Sequence, residues 1–201
     1  MHLEYRSLKE VAQPELLRTA DLLLWRRLPR DPSIVRRLIA RAGRGDHYHA
    51  GKVSWTGFAR DVVVVLETRA MKGGRTVSLS SQVRKCPGQI DVYRTNPNVN
   101  WPEYDRFEAD RLMRRLASRS YGWWGLAQAS LLHLPAVRWF VRAAVDDEHV
   151  TTRPPFCSHA CAWADRVGGG VDPVPHLADR LTEPADLARS QFYEYRFTLV
   201  P

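Results

Sequence analysis

The chain has 201 residues, 44% of them hydrophobic and 26% charged, which is the balance of a water-soluble globular protein with a single domain over residues 1–201. Seven Trp, seven Tyr and six Phe exclude a disordered chain, and no apolar run approaches the roughly 18 residues that a membrane-spanning helix needs. Thirty basic and 22 acidic residues give a net charge of +8, which admits nucleic acid, anionic lipid or cell-wall polymer as a partner, although a solvated basic surface is the simpler interpretation.

The cysteine count and the first residues of the chain indicate the compartment. Three cysteines are too few for a disulfide framework, which is typical of a reducing environment. The segment around Glu4 and Arg6 lacks the apolar run of a signal peptide. We therefore expect a cytoplasmic protein without a transmembrane segment.

Apolar patterns and turn signals predict strands and helices along the whole chain. Strands are expected at residues 21–25, 49–55, 62–66, 76–79, 90–93 and 193–199. Helices are expected at residues 3–18, 32–42, 103–119, 123–134 and 156–167, with a further piece at 135–145. The helix after Asp31-Pro32 is amphipathic, with apolar residues at helical spacing: Ile34, Val35, Leu38, Ile39 and Ala42. This order predicts an α+β protein with an antiparallel sheet packed against helices.

Cys157 is the first candidate for chemistry. It stands at the start of a predicted helix, where free N–H groups and the helix dipole lower the pKa of a thiol. The thiolate is the nucleophilic form, and the same N–H groups stabilise an oxyanion. Apolar neighbours at helical spacing, such as Ala160 and Ala164, point the side chain inward, so a buried, inert cysteine is an equally good interpretation.

A catalytic thiol needs a base, and His49 is the best candidate. Imidazole titrates near neutral pH, and His49 lies at the start of a predicted strand. Glu67 ends the strand that follows, so pairing of the two strands would bring its carboxylate beside His49 as an orienting acceptor. The alternative for Glu67 is a charged residue that simply leaves the core for solvent. His47 has a weaker claim as base because it precedes the strand.

Aromatic residues near these candidates suggest where a substrate would bind. Trp123 and Trp124 are adjacent, so they cannot both face the core, and we assign Trp124 to a substrate-binding groove. Tyr48 precedes His49 and is expected to border the same cleft. Partial burial against a neighbouring element is the alternative for these aromatic rings.

Two other kinds of site are weighed against the thiol. Cys157, His159 and Cys161 form a C-x-H-x-C cluster, but on one helix His159 points away from both cysteines, so we expect no metal and no cofactor. Pairs of arginines, such as Arg36-Arg37 and Arg114-Arg115, would suit phosphate groups. No nucleic-acid-binding signature accompanies them, which argues against nucleic acid as the partner.

Seven short segments, taken in order, resemble a circularly permuted member of the NlpC-like branch of papain-like cysteine amidases and peptidases. They are residues 19–25 (TADLLLW), 33–39 (SIVRRLI), 48–53 (YHAGKV), 64–67 (VVLE), 121–126 (YGWWGL), 156–158 (FCS) and 182–190 (TEPADLARS). In this order the histidine precedes the cysteine, whereas ordinary papain-like enzymes run from cysteine to histidine. Ala20, Gly122 and His159 depart from the residues that the family usually has.

The resemblance implies a permuted papain-like fold in which the sheet packs on the nucleophile helix. It implies Cys157 as the nucleophile, His49 as the base and, less directly, Glu67 as the third member. It also implies a thiol hydrolase that cleaves an amide in a peptide substrate, such as a peptidoglycan stem peptide or an isopeptide. Because the superfamily includes lipid acyltransferases, an acyltransferase or esterase with an acylated substrate is the alternative. A third possibility is a non-catalytic basic module that binds nucleic acid or cell-wall polymer.

Overall fold

A seven-stranded mixed sheet forms the centre of the computed structural model, which describes residues 3–11, 15–29, 32–55, 62–99, 101, 104–117, 119–122 and 154–201. Its strands are β1 (Tyr5–Ser7), β2 (Leu22–Arg26), β3 (His47–Trp55), β4 (Val63–Arg69), β5 (Gly73–Ser78), β6 (Ile90–Thr95) and β7 (Tyr193–Val200). Their order across the sheet is β1-β7-β6-β2-β3-β4-β5. The expected α+β class is confirmed.

The expected fully antiparallel sheet is wrong at one edge, where β1 lies beside β7. Among these described strands, neighbours run antiparallel except β1 and β7, which are parallel. The sequence predicts a helix from residue 3, but only α1 (Leu8–Val11) is helical at this point. The backbone N–H of Thr198 donates to the carbonyl of Glu4 at 2.7 Å. Without β1, the backbone N–H and C=O groups at the edge of β7 would have no partner in the sheet. Pairing with them stabilises residues 5–7 as a strand, and this outweighs their weak preference for a helix.

Within the described ranges, the helices flank the sheet. They are α1, α2 (Ile34–Ala42), α3 (Leu79–Lys85), α4 (Arg106–Arg115), α5 (Cys157–Trp163) and α6 (Pro184–Arg189). A π-helical turn (Ala164–Gly168) extends α5, and a 3-10 turn (Asp179–Leu181) precedes α6. The sequence patterns miss α3, whose N-cap Ser78 accepts a hydrogen bond from the N–H of Ser81. The helix expected at 123–134 and the piece at 135–145 lie outside the described residues.

Strand β2 is buried on both faces, which explains its continuous apolar run. Leu22 and Leu24 contact the core that holds α4 and α5, and Leu23 and Trp25 contact the core on the side of α3. Successive side chains of a strand point to opposite faces, so one strand supplies both cores. The first core places α5 against β3 and β4, and this contact positions Cys157.

A fully buried ion pair ties α5 to the sheet. The Nζ of Lys52 on β3 lies 2.8 Å from Oδ1 of Asp165 in the π-helical turn. Tyr104 donates its hydroxyl to the same carboxylate at 2.7 Å, and Tyr193 donates to the other carboxylate oxygen. Lys52 also donates to the carbonyl of Ala20 at 3.2 Å. Because each charge has several partners, burial of the pair is tolerated, and the π-helical turn is held in register with β3.

Helix α2 packs through only a narrow stripe. Ala40 is buried, whereas Ile34, Val35 and Leu38 are 63%, 59% and 61% exposed. The amphipathic pattern of the sequence is therefore present, but most of its apolar side faces away from the protein. In the part of the chain that the structure describes, no helix is long and apolar enough to cross a membrane.

Candidate active site

Cys157 is the first residue of α5 and lies at the edge of the first core. Phe156 before it is extended, and Ser158 after it is buried, with its hydroxyl donating to the carbonyl of Thr182 at 2.7 Å. These contacts hold the beginning of the helix in place. The side chain of Cys157 is nearly enclosed, since the residue is only 3% exposed.

Four hydrogen-bond donors surround the Cys157 sulfur. Burial alone would raise the pKa of the thiol, but the imidazole of His49 and the backbone N–H groups of Ala50 and Ser158 lower it overall. The hydroxyl of Tyr121 also hydrogen-bonds to the sulfur. Burial and the charge of Cys157 raise the pKa of that hydroxyl, so Tyr121 stays protonated and remains a donor.

His49 lies near the start of β3, between Cys157 and Glu67. Its Nε2 is 2.5 Å from Oε2 of Glu67, which leaves Nδ1 as the ring nitrogen for the thiol. The ring of Trp25 lies 4.7 Å from the imidazole ring and limits its rotation. Burial by itself would lower the pKa of His49, but the charges of Glu67 and Cys157 raise it to about 9. The imidazole is therefore positively charged at neutral pH.

Glu67 is held between two cations on neighbouring strands. It pairs in register with Arg75 of β5, whose Nε donates to Oε1 at 2.8 Å and whose Nη2 contacts the same oxygen. Burial alone would raise the pKa of the carboxyl, but His49 and Arg75 lower it to about 2. The carboxylate is thus ionised over the whole range in which the thiol and imidazole titrate.

Gly51 makes the diagonal contact between His49 and Glu67 possible. It stands opposite Glu67 in the β3–β4 register. A Cβ at this position would lie 3.1 Å from the carbonyl oxygen of Leu66 and from Val65, and 3.3 Å from the Cβ of Glu67. The absence of a side chain lets β4 approach β3 closely, so that the carboxylate of Glu67 reaches the imidazole two residues away.

The structure brings Cys157, His49 and Glu67 together, and it adds two residues to which the sequence analysis assigned no role. Arg75 follows Gly73-Gly74. Gly73 and Gly74 are not the turn but the first residues of β5, opposite Arg69 and Thr68, and this register, centred on Met71, is what places Arg75 opposite Glu67. Tyr121 begins the segment 121–126, which the sequence analysis used for its resemblance to the NlpC-like family and for its tryptophans. No local pattern indicates that its hydroxyl reaches a sulfur 36 positions later in the chain.

The sequence predicted that Tyr48 and Trp124 contact the substrate. Tyr48 is 8% exposed and belongs to the core on the α3 side, with the guanidinium carbon of Arg36 4.9 Å from its ring centroid. This placement gives no support to a role at the border of a cleft. Trp124 lies outside the described residues.

The other histidines near the site have structural partners. His47 Nε2 lies 2.9 Å from Asp91, which also accepts from Arg26 at 3.1 Å and from Thr198 at 2.6 Å. These four residues link β3, β6, β2 and β7. His159 packs against Phe156 with ring centroids 5.7 Å apart. Burial and the charges of two arginines lower the pKa of His159 to about 4.

The fold and these contacts define an α+β protein with a buried thiol–imidazole–carboxylate site. No protein-family model matches the chain, and no curated protein matches it either. Among solved structures, the chain is similar to the crystal structure of the metalloprotein yiiX, DUF1105, from Escherichia coli O157:H7. The TM-score is 0.59 and the sequence identity 11%, and the match covers 92% of this chain and 99% of that chain. A likeness at this identity shows the fold alone.

The predicted membership in the permuted NlpC-like family is therefore wrong. No family model supports that membership, and the likeness found is one of fold, to a protein of DUF1105. The segments 19–25 and 64–67 match that family's strands, but a Leu or Val run next to a charged residue suits any buried strand. The short matches reflect what strands and helix starts require of a sequence, and they do not define a family.

Proposed function

We propose that this protein is a cysteine-dependent hydrolase that cleaves an amide bond. Cys157 is the nucleophile, His49 carries the proton, and Glu67 orients and charges the imidazole. The observation that carries the proposal is the continuous contact from the Cys157 sulfur through His49 to Glu67, with a 2.5 Å bond between the last two. A thiol that is nearly enclosed yet has a lowered pKa is the arrangement expected of a nucleophile.

In the acylation step, the thiolate of Cys157 attacks the carbonyl carbon of the amide. A carbon–sulfur bond forms, and the carbonyl electron pair moves to oxygen. We assign the backbone N–H of Cys157 and the hydroxyl of Tyr121, which contacts the sulfur, as the donors that stabilise that oxyanion. The His49 imidazolium then protonates the leaving nitrogen, the carbon–nitrogen bond breaks, and a thioester remains on Cys157.

Deacylation uses the same residues in reverse. Neutral His49 removes a proton from water, the hydroxide attacks the thioester carbon, and the carbon–sulfur bond breaks to release a carboxylic acid. The thiolate and the imidazolium are restored together. Glu67 does not change its protonation, because the pKa near 2 keeps it ionised throughout.

A peptide amide, such as a peptidoglycan stem peptide or an isopeptide, remains the proposed substrate class. The second candidate is an acyltransferase or esterase with an acylated lipid as substrate. The acyl group passes to Cys157 and the alcohol of the lipid leaves; water in an esterase, or an acceptor alcohol or amine in an acyltransferase, then takes the acyl group from the thioester. The exposed apolar side of α2 favours keeping this candidate, because it would suit an enzyme that works next to lipid. If Cys157 proves inert, we propose instead a non-catalytic basic module that binds nucleic acid or cell-wall polymer.

The proposal includes two further predictions: a permuted papain-like arrangement and a cytoplasmic setting. A papain-like arrangement in permuted order is supported by β3, which carries His49, preceding α5, which carries Cys157 and packs on β3 and β4. A reducing, cytoplasmic setting is supported by three cysteines that form no disulfide: Cys86, Cys157 and Cys161.

The fold neighbour yiiX is described as a metalloprotein, but the described residues of this chain do not fit a metal. Over the described ranges, no group of three or more His, Cys, Asp or Glu side chains is arranged to hold one. His49 and Glu67 are bound to each other, and burial raises the pKa of the Cys161 thiol, which disfavours the thiolate that a metal needs. No step is routed through a metal ion.

Alkylation of the native protein tests the proposal. Iodoacetamide is applied from about pH 5.5 to 9, around the pKa of a free thiol, and each cysteine is followed by mass spectrometry. We expect Cys157 to react fastest below pH 7, and His49→Ala to slow that reaction by about tenfold or more. His47→Ala, which removes the other histidine of β3, is the matched control and should leave the Cys157 rate unchanged.

A measurement of substrate turnover then distinguishes an enzyme from a protein whose thiol is only reactive. Screening of peptide amides and activated esters should yield a thioester adduct on Cys157 that Cys157→Ala lacks. If Cys157 reacts no faster than Cys86 and Cys161, or if His47→Ala and His49→Ala slow it equally, the proposed nucleophile is refuted.

A further inference from the structure

The outer side of α2 carries large apolar side chains that the fold leaves uncovered. Ile34, Val35 and Leu38 are about 60% exposed, and Leu28, just before the helix, is 46% exposed. Single exposed apolar residues are normal on a protein surface, but a cluster on one helix marks an interaction site.

Helical geometry places these residues on one side together with positive charge. Ile34 and Leu38 are four residues apart and Arg41 follows seven after Ile34, so the three lie along one line of the helix. Arg37 flanks this line and, like Arg41, is exposed. Residues 32–44 contain four arginines and no acidic residue. We call the surface formed by Ile34, Val35, Leu38, Arg37 and Arg41 the α2 face.

The opposite side of α2 is held firmly to the protein. Ser33 caps the helix by accepting from the N–H of Arg36, and Ala40 is fully buried. At the end of the helix, Arg189 of α6 donates to the carbonyl of Gly43 at 2.9 Å. Arg36 turns inward over the ring of Tyr48, which is the neighbour of His49 in β3. The α2 face is therefore presented by a packed helix that adjoins the strand of the candidate site.

An anionic lipid surface fits this combination of groups. Aliphatic side chains enter the boundary between headgroups and acyl chains, and arginines at the rim pair with phosphates. Nucleic acid would use the arginines but would gain nothing from three aliphatic side chains, since its backbone is contacted through charge. The excess of basic residues over the whole chain supports attraction to the same kind of surface.

We propose that the α2 face is a docking surface for membranes that contain anionic lipid. The helix lies flat on the bilayer with Ile34 and Leu38 inserted and Arg37 and Arg41 at the phosphates. This docking does not depend on the thiol chemistry, so it stands even if Cys157 is not a nucleophile. Cys157→Ala is expected to bind vesicles as the unchanged protein does.

Co-sedimentation of the full chain with vesicles tests the proposal. The vesicles are phosphatidylcholine alone and phosphatidylcholine with roughly a third phosphatidylglycerol. We expect binding to the mixed vesicles, weak binding to the neutral ones, and a loss of about tenfold or more in affinity for both Ile34→Ser/Leu38→Ser and Arg37→Gln/Arg41→Gln. Added salt should weaken binding of the unchanged protein.

Matched control variants lie elsewhere on the surface. Phe107→Ser removes an apolar ring that is 72% exposed on α4, and Arg84→Gln/Lys85→Gln removes two exposed charges from the last turn of α3. Neither should change vesicle binding, and circular dichroism checks that each variant folds.

Four results would overturn the proposal. The first is failure of the unchanged protein to bind anionic vesicles, and the second is an equal loss in the control variants. The third is that Ile34→Ser/Leu38→Ser converts a dimer to a monomer in sedimentation velocity while vesicle binding persists, which would make the α2 face a contact between two copies. The fourth is loss of duplex RNA binding in Arg37→Gln/Arg41→Gln with vesicle binding retained, which would assign the surface to nucleic acid.

Discussion

Four charges at the Cys157 site cancel one another. When the thiol is ionised, Cys157 and Glu67 are negative, and His49 and Arg75 are positive. Each charge contacts one of opposite sign, so the group can be buried without a net charge in the core. This balance explains why the pKa of the Cys157 thiol is lowered in a place that is almost closed to solvent.

The link between His49 and Glu67 predicts a shift in the pH profile. Glu67→Gln keeps the shape of the side chain but removes the charge that raises the pKa of His49 to about 9. Without it, burial lowers that pKa, so the imidazolium is lost at lower pH. We expect the alkaline limb of the hydrolysis profile to move from near pH 9 toward neutral pH, because the imidazolium that protonates the leaving nitrogen is lost at lower pH.

Glu108→Gln, on an exposed part of α4, is the control for that change and should leave the profile as it is. An alkaline limb that stays near pH 9 in Glu67→Gln would show that Glu67 does not set the charge of His49.

The hydroxyl of Tyr121 predicts a separation of nucleophilicity from turnover. Tyr121→Phe removes one donor near the proposed oxyanion, and loss of one such donor costs about 10²–10³ in kcat. Alkylation of Cys157, which forms no oxyanion, should change by much less. Tyr5→Phe, at an exposed position, is the control. Equal losses in alkylation and kcat would mean that the hydroxyl acts on the thiol and not on the oxyanion.

At the scale of elements, the junction between β3 and the π-helical turn sets the position of α5. The contact of Lys52 with Asp165 lies in the core that also holds Cys157 and Cys161. The π-helical turn adds a residue to the helical repeat, which aims the Asp165 carboxylate at β3 and not along α5. The geometry of the candidate site thus depends on a contact outside it.

Lys52→Met should reveal how much this junction contributes to stability. The change leaves the Asp165 carboxylate buried without its cation, and breaking a buried pair in this way costs about 3–5 kcal/mol in the free energy of unfolding. Lys52→Met/Asp165→Asn should be less unstable than Lys52→Met alone, because the uncompensated charge is gone. Urea unfolding of the two variants measures the difference. A double variant that is less stable than the single would contradict the role of the pair.

For the whole molecule, the same ionisations predict how stability depends on pH. The pKa of His49 is raised in the folded state, so its contribution is complete below about pH 6.5 and is lost as the pH rises through about 9. The pKa of Glu67 is lowered, so its contribution is complete above about pH 4.5 and is lost as the pH falls through about 2. Stability from this pair should be greatest at mildly acidic pH.

Urea unfolding in the Cys157→Ala background measures this dependence without the titration of the thiol. We expect the free energy of unfolding to fall as the pH rises above 6.5, over a narrower range than in the unchanged protein because the charge of Cys157 no longer raises the pKa of His49. The fall should be smaller when Glu67→Gln is added. A flat profile over that range would show that His49 is not charged by its neighbours in the folded protein.

Much of the element order follows from local patterns. The apolar run at 21–25 and the Val run at 62–66 predicted β2 and β4, because β-branched and apolar side chains in a short run suit a buried strand. Caps and apolar spacing predicted α2 and α4. The missed elements, β1, α3 and α6, are short, and β1 depends on pairing with a strand from the far end of the chain.

The sequence by itself determined which chemical groups are present and roughly where strands and helices form, since both depend on side chains within a few positions of one another. It could not determine that Arg75 lies against Glu67, that Tyr121 reaches Cys157, or that Tyr48 is buried. Those contacts depend on strand register and on helix packing across many positions. The tertiary structure also decided that the apolar side of α2 faces outward, because the narrow contact with β3 and α6 has room only for Ala40 and its neighbours.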